Sequence, residues 1–203
     1  GLSLMSGSVE SSPPGGSQLA ARACAKVNLT LEVLRRRPDG YHEVRSVLQT
    51  IDLCDTVQLT LATDLTVQCD LPELSGEANL VHRAGSLLRE ETGSSDGALV
   101  RLIKRIPVAA GLGGGSSDAA AALVGLSRLW DVSVSPSELL ALAARLGSDV
   151  PFFLLGGTAL AEGRGEILRE LPPLPELWAV VARPNLRLAD QTRRLYAALQ
   201  PED

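Results

Sequence analysis

Residues 107–118 read Pro-Val-Ala-Ala-Gly-Leu-Gly-Gly-Gly-Ser-Ser-Asp, and an alanine-rich run follows them directly. Glycine has no Cβ, so the four glycines let the backbone approach a ligand closely. Serine and aspartate are typical of helix starts, because their side-chain oxygens accept hydrogen bonds from unpaired N–H groups. Apolar residues at helical spacing over 119–130 predict a helix that starts near Ser116. N–H groups at a helix start, together with the helix dipole, make an anion site whose usual occupant is phosphate.

Two better-known nucleotide loops do not fit this stretch. A dinucleotide-binding G-x-G-x-x-G pattern that began at Gly111 would need glycine where Ser116 stands. The triphosphate loop of the G-x-x-x-x-G-K-[ST] type needs a lysine, and none follows these glycines. A flexible glycine–serine linker is the remaining alternative, but linkers seldom lead straight into a well-patterned helix.

Composition excludes several classes of protein. The 203 residues are enough for one large domain or two small domains. Hydrophobic residues make up 45% of the chain and aromatic residues only 3%, so the core must be mainly leucine, valine and alanine. The net charge of −5 argues against a general nucleic-acid binder. No apolar run approaches the roughly 20 residues of a membrane span, and the first residues do not resemble a secretory signal. Composition leaves the oligomeric state open.

The cysteines and histidines give no sign of a metal centre. Cys24, Cys54 and Cys69 are odd in number and lack C-x-x-C spacing, so they are predicted to be free thiols in a reducing compartment. His42 and His82 are the only histidines and lie far apart in the sequence, so no metal cluster is expected.

The pattern before the loop predicts a sheet with one helix. Alternating apolar and polar residues predict strands at 21–34, 44–51, 56–61, 65–69 and 98–103. Asn79 is predicted to cap a helix that ends at Gly93. With the helix after the loop, these elements predict a two-layer α/β (α+β) domain.

Further elements are predicted after the loop and its helix. Ser135-Pro-Ser-Glu138 is a capping box that opens a helix running to about Leu146. Asp149 then lies in a tight loop ahead of an apolar segment, which is interpreted as a strand. Next along the chain are predicted a hairpin at 159–168, a strand at 178–182 and a helix at 190–199.

Three parts of the sequence together resemble a known family. Residues 107–118 resemble the phosphate loop of the GHMP kinases, the superfamily of galactokinase, homoserine kinase, mevalonate kinase and phosphomevalonate kinase. Residues 25–29 (Ala-Lys-Val-Asn-Leu) with 39–43 (Asp-Gly-Tyr-His-Glu) resemble one branch of it, as do 146–152 (Leu-Gly-Ser-Asp-Val-Pro-Phe) with 162–166 (Glu-Gly-Arg-Gly-Glu). That branch phosphorylates the 2-hydroxyl of a cytidine-diphospho-methylerythritol in the non-mevalonate isoprenoid pathway.

The resemblance implies an ATP-dependent kinase of a small-molecule alcohol, in a bacterial cytoplasm or a plastid. Asp149 matches the general base and Lys26 the catalytic lysine, so their side chains are expected to converge within several ångströms. The lysine would keep the base ionised and offset charge that develops on phosphate. On composition alone, Lys26 is an ordinary solvated lysine and Asp149 a turn former. Mg²⁺ is expected with ATP, although no dedicated carboxylate cage is evident.

The resemblance also implies binding residues. Asn28 matches a position near the base, while His42 would hydrogen-bond the cytosine and Tyr41 would stack on it. On composition alone, Tyr41 and His42 are a half-buried tyrosine and a surface histidine. The residues implied to bind ATP are Pro107, Val108, Ala109, Ala110, Gly111, Leu112, Gly113, Gly114, Gly115, Ser116 and Ser117 on the loop, with Asn79, Leu80 and Lys104 around the adenine. Valine at Gly113 or Gly114 is expected to abolish ATP binding and leave the fold largely intact.

The implied domain organisation has three parts. Residues 1–19 are expected to be a disordered leader, and 20–177 the GHMP kinase N-terminal ATP-binding domain, of the ribosomal protein S5 domain 2-like fold. Residues 178–203 are expected to begin a ferredoxin-like second domain, truncated because the family's later G-T-G motif is absent. Alternatives are a non-catalytic nucleotide-binding remnant of such a kinase, or a kinase for another small alcohol.

Overall fold

A computed structural model describes residues 10–11, 18–38 and 40–182 of the chain. The predicted helix at 190–199 and most of the predicted leader lie outside the described residues, as do 183–203. The regular elements run in chain order as follows: β1 (Glu10–Ser11), β2 (Gln18–Arg36), β3 (His42–Ala62), β4 (Thr66–Cys69), a short 3₁₀ turn (Pro72–Leu74), α1 (Leu80–Thr92), β5 (Gly97–Ile103), α2 (Gly114–Leu129), α3 (Pro136–Leu146), α4 (Val150–Leu155), β6 (Thr158–Gly163) and β7 (Ile167–Glu170).

The described strands form one sheet around β3. Strand β3 pairs with β2 along most of its length, with β6 over residues 44–49 and with β5 over residues 56–62. These pairings are antiparallel, and β4 adds to β5 in parallel. The predicted break between strands at 51 and 56 is therefore wrong, because β3 is continuous. The extra residues of β3 opposite Ala25 are absorbed by a bulge, which bends a strand without reversing the chain.

The helices form the second layer, with α2 at its centre. Leu123 and Leu126 of α2 are fully buried, and so are Val57 and Leu59 of β3 in the same core cluster. Helix α2 contacts β2, β3 and the three other helices. The predicted two-layer α/β domain is confirmed, and the buried face of α2 fixes the position of the loop that precedes it.

Local signals placed most of the helices correctly. Asn79 caps α1 by accepting the Val81 N–H at 2.8 Å, and α1 ends at Gly93 in the left-handed conformation. Helix α3 begins with the predicted capping box between Ser135 and Glu138. Helix α2 begins two residues before the predicted start, because Gly113 takes up the left-handed conformation as its N-cap.

Two predicted strands are wrong. Residues 150–155 form helix α4, because Pro151 suits a first helical turn and a short apolar run fits a buried helix as well as a strand. Residues 178–182 have no regular structure, and Trp178 is 95% exposed. A strand needs a paired neighbour, and no described strand lies beside this segment.

Alanine at Gly125 is expected to lower the free energy of unfolding by about 1–3 kcal/mol, as overpacking does. A Cβ built there lies 2.2 Å from Leu59 Cδ1, and Leu59 is completely buried and cannot swing away freely. Urea denaturation measures the change. Gly115→Ala in the same helix is the control, because its Cβ would point into open space. Equal stability of the two variants would contradict close packing of α2 on β3.

Candidate active site

The loop before α2 and the start of α1 enclose a cavity of about 390 Å³. Strand β5 leads into the loop, and the buried face of α2 holds its other end. The cavity is lined by residues of three segments, namely Leu74, Ala78, Asn79, Leu80, Lys104, Ile106, Pro107, Val108, Ala109, Ala110, Gly111, Leu112, Gly113, Gly114, Gly115, Ser116 and Asp118. All but one of the predicted ATP-binding residues therefore line one cavity.

Ser117 is the exception, since its side chain points into the protein. Its hydroxyl donates to the Cys24 carbonyl oxygen at 2.7 Å, and its residue is 3% exposed. Its own N–H group is bonded to the Gly113 carbonyl oxygen at 2.9 Å. Ser117 thus links the start of α2 to β2 and does not line the cavity.

The backbone of the loop is shaped for close approach of a ligand. Gly111 and Gly113 have φ of 75° and 73°, and Ala109 shares this left-handed conformation at 56°. N–H groups in the first turn of a helix have no acceptor within the helix. Because Gly114, Gly115 and Ser116 form that turn and line the cavity, their N–H groups offer an anion cradle.

The prediction that valine at Gly113 leaves the fold largely intact is wrong. A Cβ at Gly113 would lie 2.5 Å from Phe153 Cζ, and its φ already disfavours any side chain. At Gly114 the added Cβ would lie 3.0 Å from Ile106 Cγ2. Valine at Gly113 would therefore disturb the fold, and valine at Gly114 would press on buried Ile106. Gly115 is the loop position where a side chain meets only open space.

Lys26 and Asp149 meet at one end of the loop. Lys26 Nζ lies 3.9 Å from Asp149 Oδ2, with the lysine side chain 9% exposed and the aspartate side chain 45% exposed. The Lys26 N–H donates to the Leu112 carbonyl oxygen at 3.0 Å, which fixes β2 against the loop. Far apart in sequence, the two side chains thus form a buried cation beside an accessible carboxylate.

A chain of hydrogen bonds orients the lysine. Lys26 Nζ donates to Asn28 Oδ1 at 2.6 Å, and Asn28 Nδ2 donates to Ser46 Oγ at 2.7 Å. The Ser46 hydroxyl in turn donates to the Thr30 carbonyl oxygen at 2.6 Å. Asn28 therefore contacts Lys26 directly, and Ser46 is a supporting residue that sequence reasoning missed because only strand pairing brings β3 beside β2.

The turn between β6 and β7 connects this pair with Tyr41. A Cβ built on Gly165 would lie 3.9 Å from Asp149 Oδ1, and the Arg164 guanidinium lies 4.9 Å from the centre of the Tyr41 ring. Tyr41 is 54% exposed, and His42 begins β3 next to it. Arg164 belongs to the 162–166 motif but was not predicted to be a site residue. Its contact with the Tyr41 ring makes it a candidate site residue.

Two residues that the family resemblance assigns to the adenine pocket, Asn79 and Lys104, have structural tasks. Asn79 caps α1 through Oδ1 and donates from Nδ2 to the Leu74 carbonyl oxygen at 2.7 Å. Lys104 forms buried ion pairs with Asp55 and Asp118. Asp118, quoted in the loop motif only as a helix-start residue, is thus part of a charge cluster that no local pattern indicated.

The pKa values of both Lys104 and Asp118 are raised in these buried surroundings. Burial alone would lower the pKa of Lys104, but Asp118 and Asp55 outweigh that effect and raise it. Burial raises the pKa of Asp118 to about 7, against the opposing effect of Lys104. The Asp118 carboxyl therefore titrates near neutral pH.

The prediction of three free thiols is wrong for two of them. Cys24 and Cys54 are directly paired across β2 and β3, and their sulfur atoms are bonded to each other. Cys69 is free. Asp52 lies beside the two sulfurs but pairs with Arg22, and disulfide sulfurs are not thiolate ligands. With Cys24 and Cys54 joined, the cysteines no longer indicate a reducing compartment.

No helix in the described part of the chain combines the length and the apolar character required to cross a membrane.

Comparisons with known proteins agree with one another. The model of the GHMP kinases N-terminal domain matches residues 79–157. A protein of Pelotomaculum thermopropionicum named 4-diphosphocytidyl-2-C-methyl-D-erythritol kinase is 52% identical over 188 residues, which cover 90% of this chain and 64% of that protein. One of Dehalococcoides mccartyi with the same name is 45% identical and covered to 65%. This chain thus spans less than two thirds of these relatives.

Solved structures give the same picture. The crystal structure of a 4-(cytidine 5'-diphospho)-2C-methyl-D-erythritol kinase matches with a TM-score of 0.78 at 44% identity, over 90% of this chain and 65% of that one. The mevalonate kinase of Methanococcus jannaschii matches with a TM-score of 0.58 at 15% identity, over 78% of this chain and 57% of that one, which shows a shared fold. Residues 79–157 therefore match the N-terminal domain of the GHMP kinases, and the chain shares the fold of these kinases.

Proposed function

We propose that this protein transfers the γ-phosphoryl group of ATP to the 2-hydroxyl of 4-diphosphocytidyl-2-C-methyl-D-erythritol. The observation that carries the proposal is the Lys26–Asp149 pair, 3.9 Å apart at the end of a glycine-rich anion cradle. Two relatives and one solved structure that share 44–52% identity with this chain bear the name of that kinase. The chain spans about 65% of their length.

The reaction needs one proton acceptor and one source of positive charge. Asp149 accepts the proton of the substrate hydroxyl, and the resulting oxygen forms a bond to the γ-phosphorus while the bond to the β-phosphate oxygen breaks and ADP leaves. Lys26 offsets the charge on the transferred group. Asn28 holds the Lys26 ammonium in place through its 2.6 Å hydrogen bond.

Mg²⁺ is expected to enter with the nucleotide. The carboxylate of Asp118 in the cavity lining is engaged by Lys104, so it is not available as a metal ligand. This arrangement fits a metal held mainly by phosphate oxygens and water, as Mg²⁺ often is. Such an ion would neutralise phosphate charge.

The cytidine end of the substrate is assigned to Tyr41 and His42. Tyr41 is half exposed and lies beside the Arg164 guanidinium, and an exposed aromatic ring is a side chain on which a base can stack. The same turn carries Gly165 beside Asp149. A substrate that reaches from Tyr41 to Asp149 would therefore lie along this turn.

A coupled assay of ADP release tests the proposed function, with the protein at its natural length. We expect turnover that depends on the cytidine-diphosphate alcohol and little with mevalonate, homoserine or galactose. Turnover with one of those alcohols instead would support a GHMP kinase for another substrate. ATP binding without turnover on any of them would support a non-catalytic remnant.

Gly115→Val is expected to weaken ATP binding about tenfold or more, a loss of about 1.4 kcal/mol or more. The valine side chain would occupy the open space over the cradle, and Gly115 has no positive φ that a side chain would strain. Titration calorimetry measures the affinity, and circular dichroism checks that the fold is kept. Ala62→Val, at the exposed end of β3 and outside the cavity lining, is the control. Unchanged affinity in a folded Gly115→Val variant would show that the phosphates do not bind at this loop.

A further inference from the structure

A buried charge cluster lies beneath the start of α2. Lys104 Nζ contacts a carboxylate oxygen of Asp55 and one of Asp118. The three side chains are 6%, 0% and 4% exposed. Charges this far from water are stabilised by their partners and not by solvent.

The two carboxylates are not equivalent. Asp55 Oδ1 accepts the N–H groups of Arg105 and Ile106, and its Oδ2 accepts from Lys104. Asp118 Oδ2 also accepts from Lys104, but its Oδ1 is buried without a hydrogen-bond partner among the described residues. The Asp118 carboxylate therefore accepts fewer hydrogen bonds than the Asp55 carboxylate. Its raised pKa of about 7 agrees with this poorer stabilisation of the charged form.

The cluster adjoins the anion cradle. A Cβ built on Gly114, the first residue of α2, would lie 3.4 Å from Lys104 Nζ. Asp118 follows four residues later on the same helix and belongs to the cavity lining. Any change in the net charge of the cluster therefore changes the electrostatic energy of a ligand at the first turn of α2.

We propose that Asp118 is a positioning residue that controls, through Lys104, how strongly the cavity attracts the phosphates of a nucleoside triphosphate. With Asp118 neutral, the Lys104 ammonium and the Asp55 carboxylate cancel, and the helix N–H groups attract the phosphates unopposed. With Asp118 ionised, the cluster carries one net negative charge and repels them. This inference rests on the proposed nucleotide site, and nothing in the proposed transfer step requires it.

The expected pH dependence follows from the sign of that charge. Among the described residues, the charged groups that act on the Asp118 carboxyl are Lys104, which follows β5, and Asp55 on β3. As pH rises through neutrality Asp118 loses its proton, so the affinity for ATP falls. Conversely, bound phosphates favour the protonated carboxyl and raise the pKa of Asp118.

The test compares ATP affinity between pH 6 and 8.5 for the protein at its natural length and for Asp118→Asn. We expect the unchanged protein to lose about five- to tenfold more affinity over this range than the variant, the size of effect that one partly screened charge produces. Titration of the terminal phosphate of ATP is common to both proteins and cancels. Adenosine, which lacks phosphates, is expected to show no such difference.

Glu91→Gln is the matched control. It removes one negative charge from a surface pair with Arg145, outside the cavity. Its ATP affinity is expected to depend on pH as that of the wild-type protein does. Parallel profiles for the unchanged protein and Asp118→Asn would overturn the inference and leave the nucleotide site standing. Absence of ATP binding at every pH would overturn the site and the inference together.

A second measurement needs no variant and covers the case in which Asp118→Asn does not fold. Carboxyl carbon resonances, recorded by NMR against pH, report the titration of Asp118 with and without bound ATP. We expect ATP to move its midpoint upward. A midpoint that ATP leaves in place would overturn the inference.

Discussion

Asp149→Asn is expected to lower kcat for phosphoryl transfer by about 100-fold or more, the range for loss of a general base. Asparagine keeps the shape of aspartate but cannot accept the hydroxyl proton. Asp149 makes no side-chain capping bond to α4, so the substitution removes no helix cap. The KM for ATP is expected to change little, because the carboxylate is outside the cavity lining.

Steady-state kinetics with the cytidine substrate measure this effect. Asp96→Asn in the loop before β5 is the matched control, since it makes the same chemical change at an exposed carboxylate that hydrogen-bonds Ser94. A near-normal kcat for Asp149→Asn would mean that the carboxylate only forms the turn between α3 and α4.

Lys26→Met is expected to lower kcat by about 100-fold or more, comparable to the loss of one electrostatic group in the transition state. Methionine keeps much of the apolar stem that lies against Gly113 but removes the ammonium. Asp149 then loses its neighbouring cation, and charge that develops on the transferred phosphoryl group is no longer offset.

Three measurements separate this role from a structural one. Lys26→Arg keeps the positive charge and is expected to retain more activity than Lys26→Met. Arg145→Met, which removes a cation from surface pairs with Glu90 and Glu91, is expected to keep normal kcat. Thermal denaturation shows whether Lys26→Met is folded. A folded Lys26→Met variant with normal kcat would exclude the ammonium from the reaction.

Local sequence signals predicted the parts of this fold that neighbouring residues decide. The caps of α1 and α3 depend on side chains within three residues of the helix start, so Asn79 and the Ser135–Glu138 box located them. The glycine-rich loop and the helical period after it predicted the junction of loop and helix for the same reason. Helix α4 was missed because six apolar residues have no period long enough to tell a helix from a strand.

The candidate site was predicted unevenly. Lys26 and Asp149 were chosen from resemblance to a family, because a lone strand lysine and a turn aspartate carry no signal of their own. The pairing of Cys24 with Cys54 and the clustering of Asp55, Lys104 and Asp118 had no local signal either. Cys24 meets Cys54 because β2 pairs with β3, while Asp55, Lys104 and Asp118 meet because β5 pairs with β3 and α2 packs on the sheet.

Sequence alone therefore determined the helix caps, the glycine-rich loop and the alternation of the strands, since each depends on residues that are close along the chain. Tertiary structure alone decided that β3 continues through a bulge, that Lys26 lies 3.9 Å from Asp149, and that a buried charge cluster underlies the loop. Those features arise from contacts between distant segments. Packing of α2 on the sheet, and not any local preference, sets their distances and their burial.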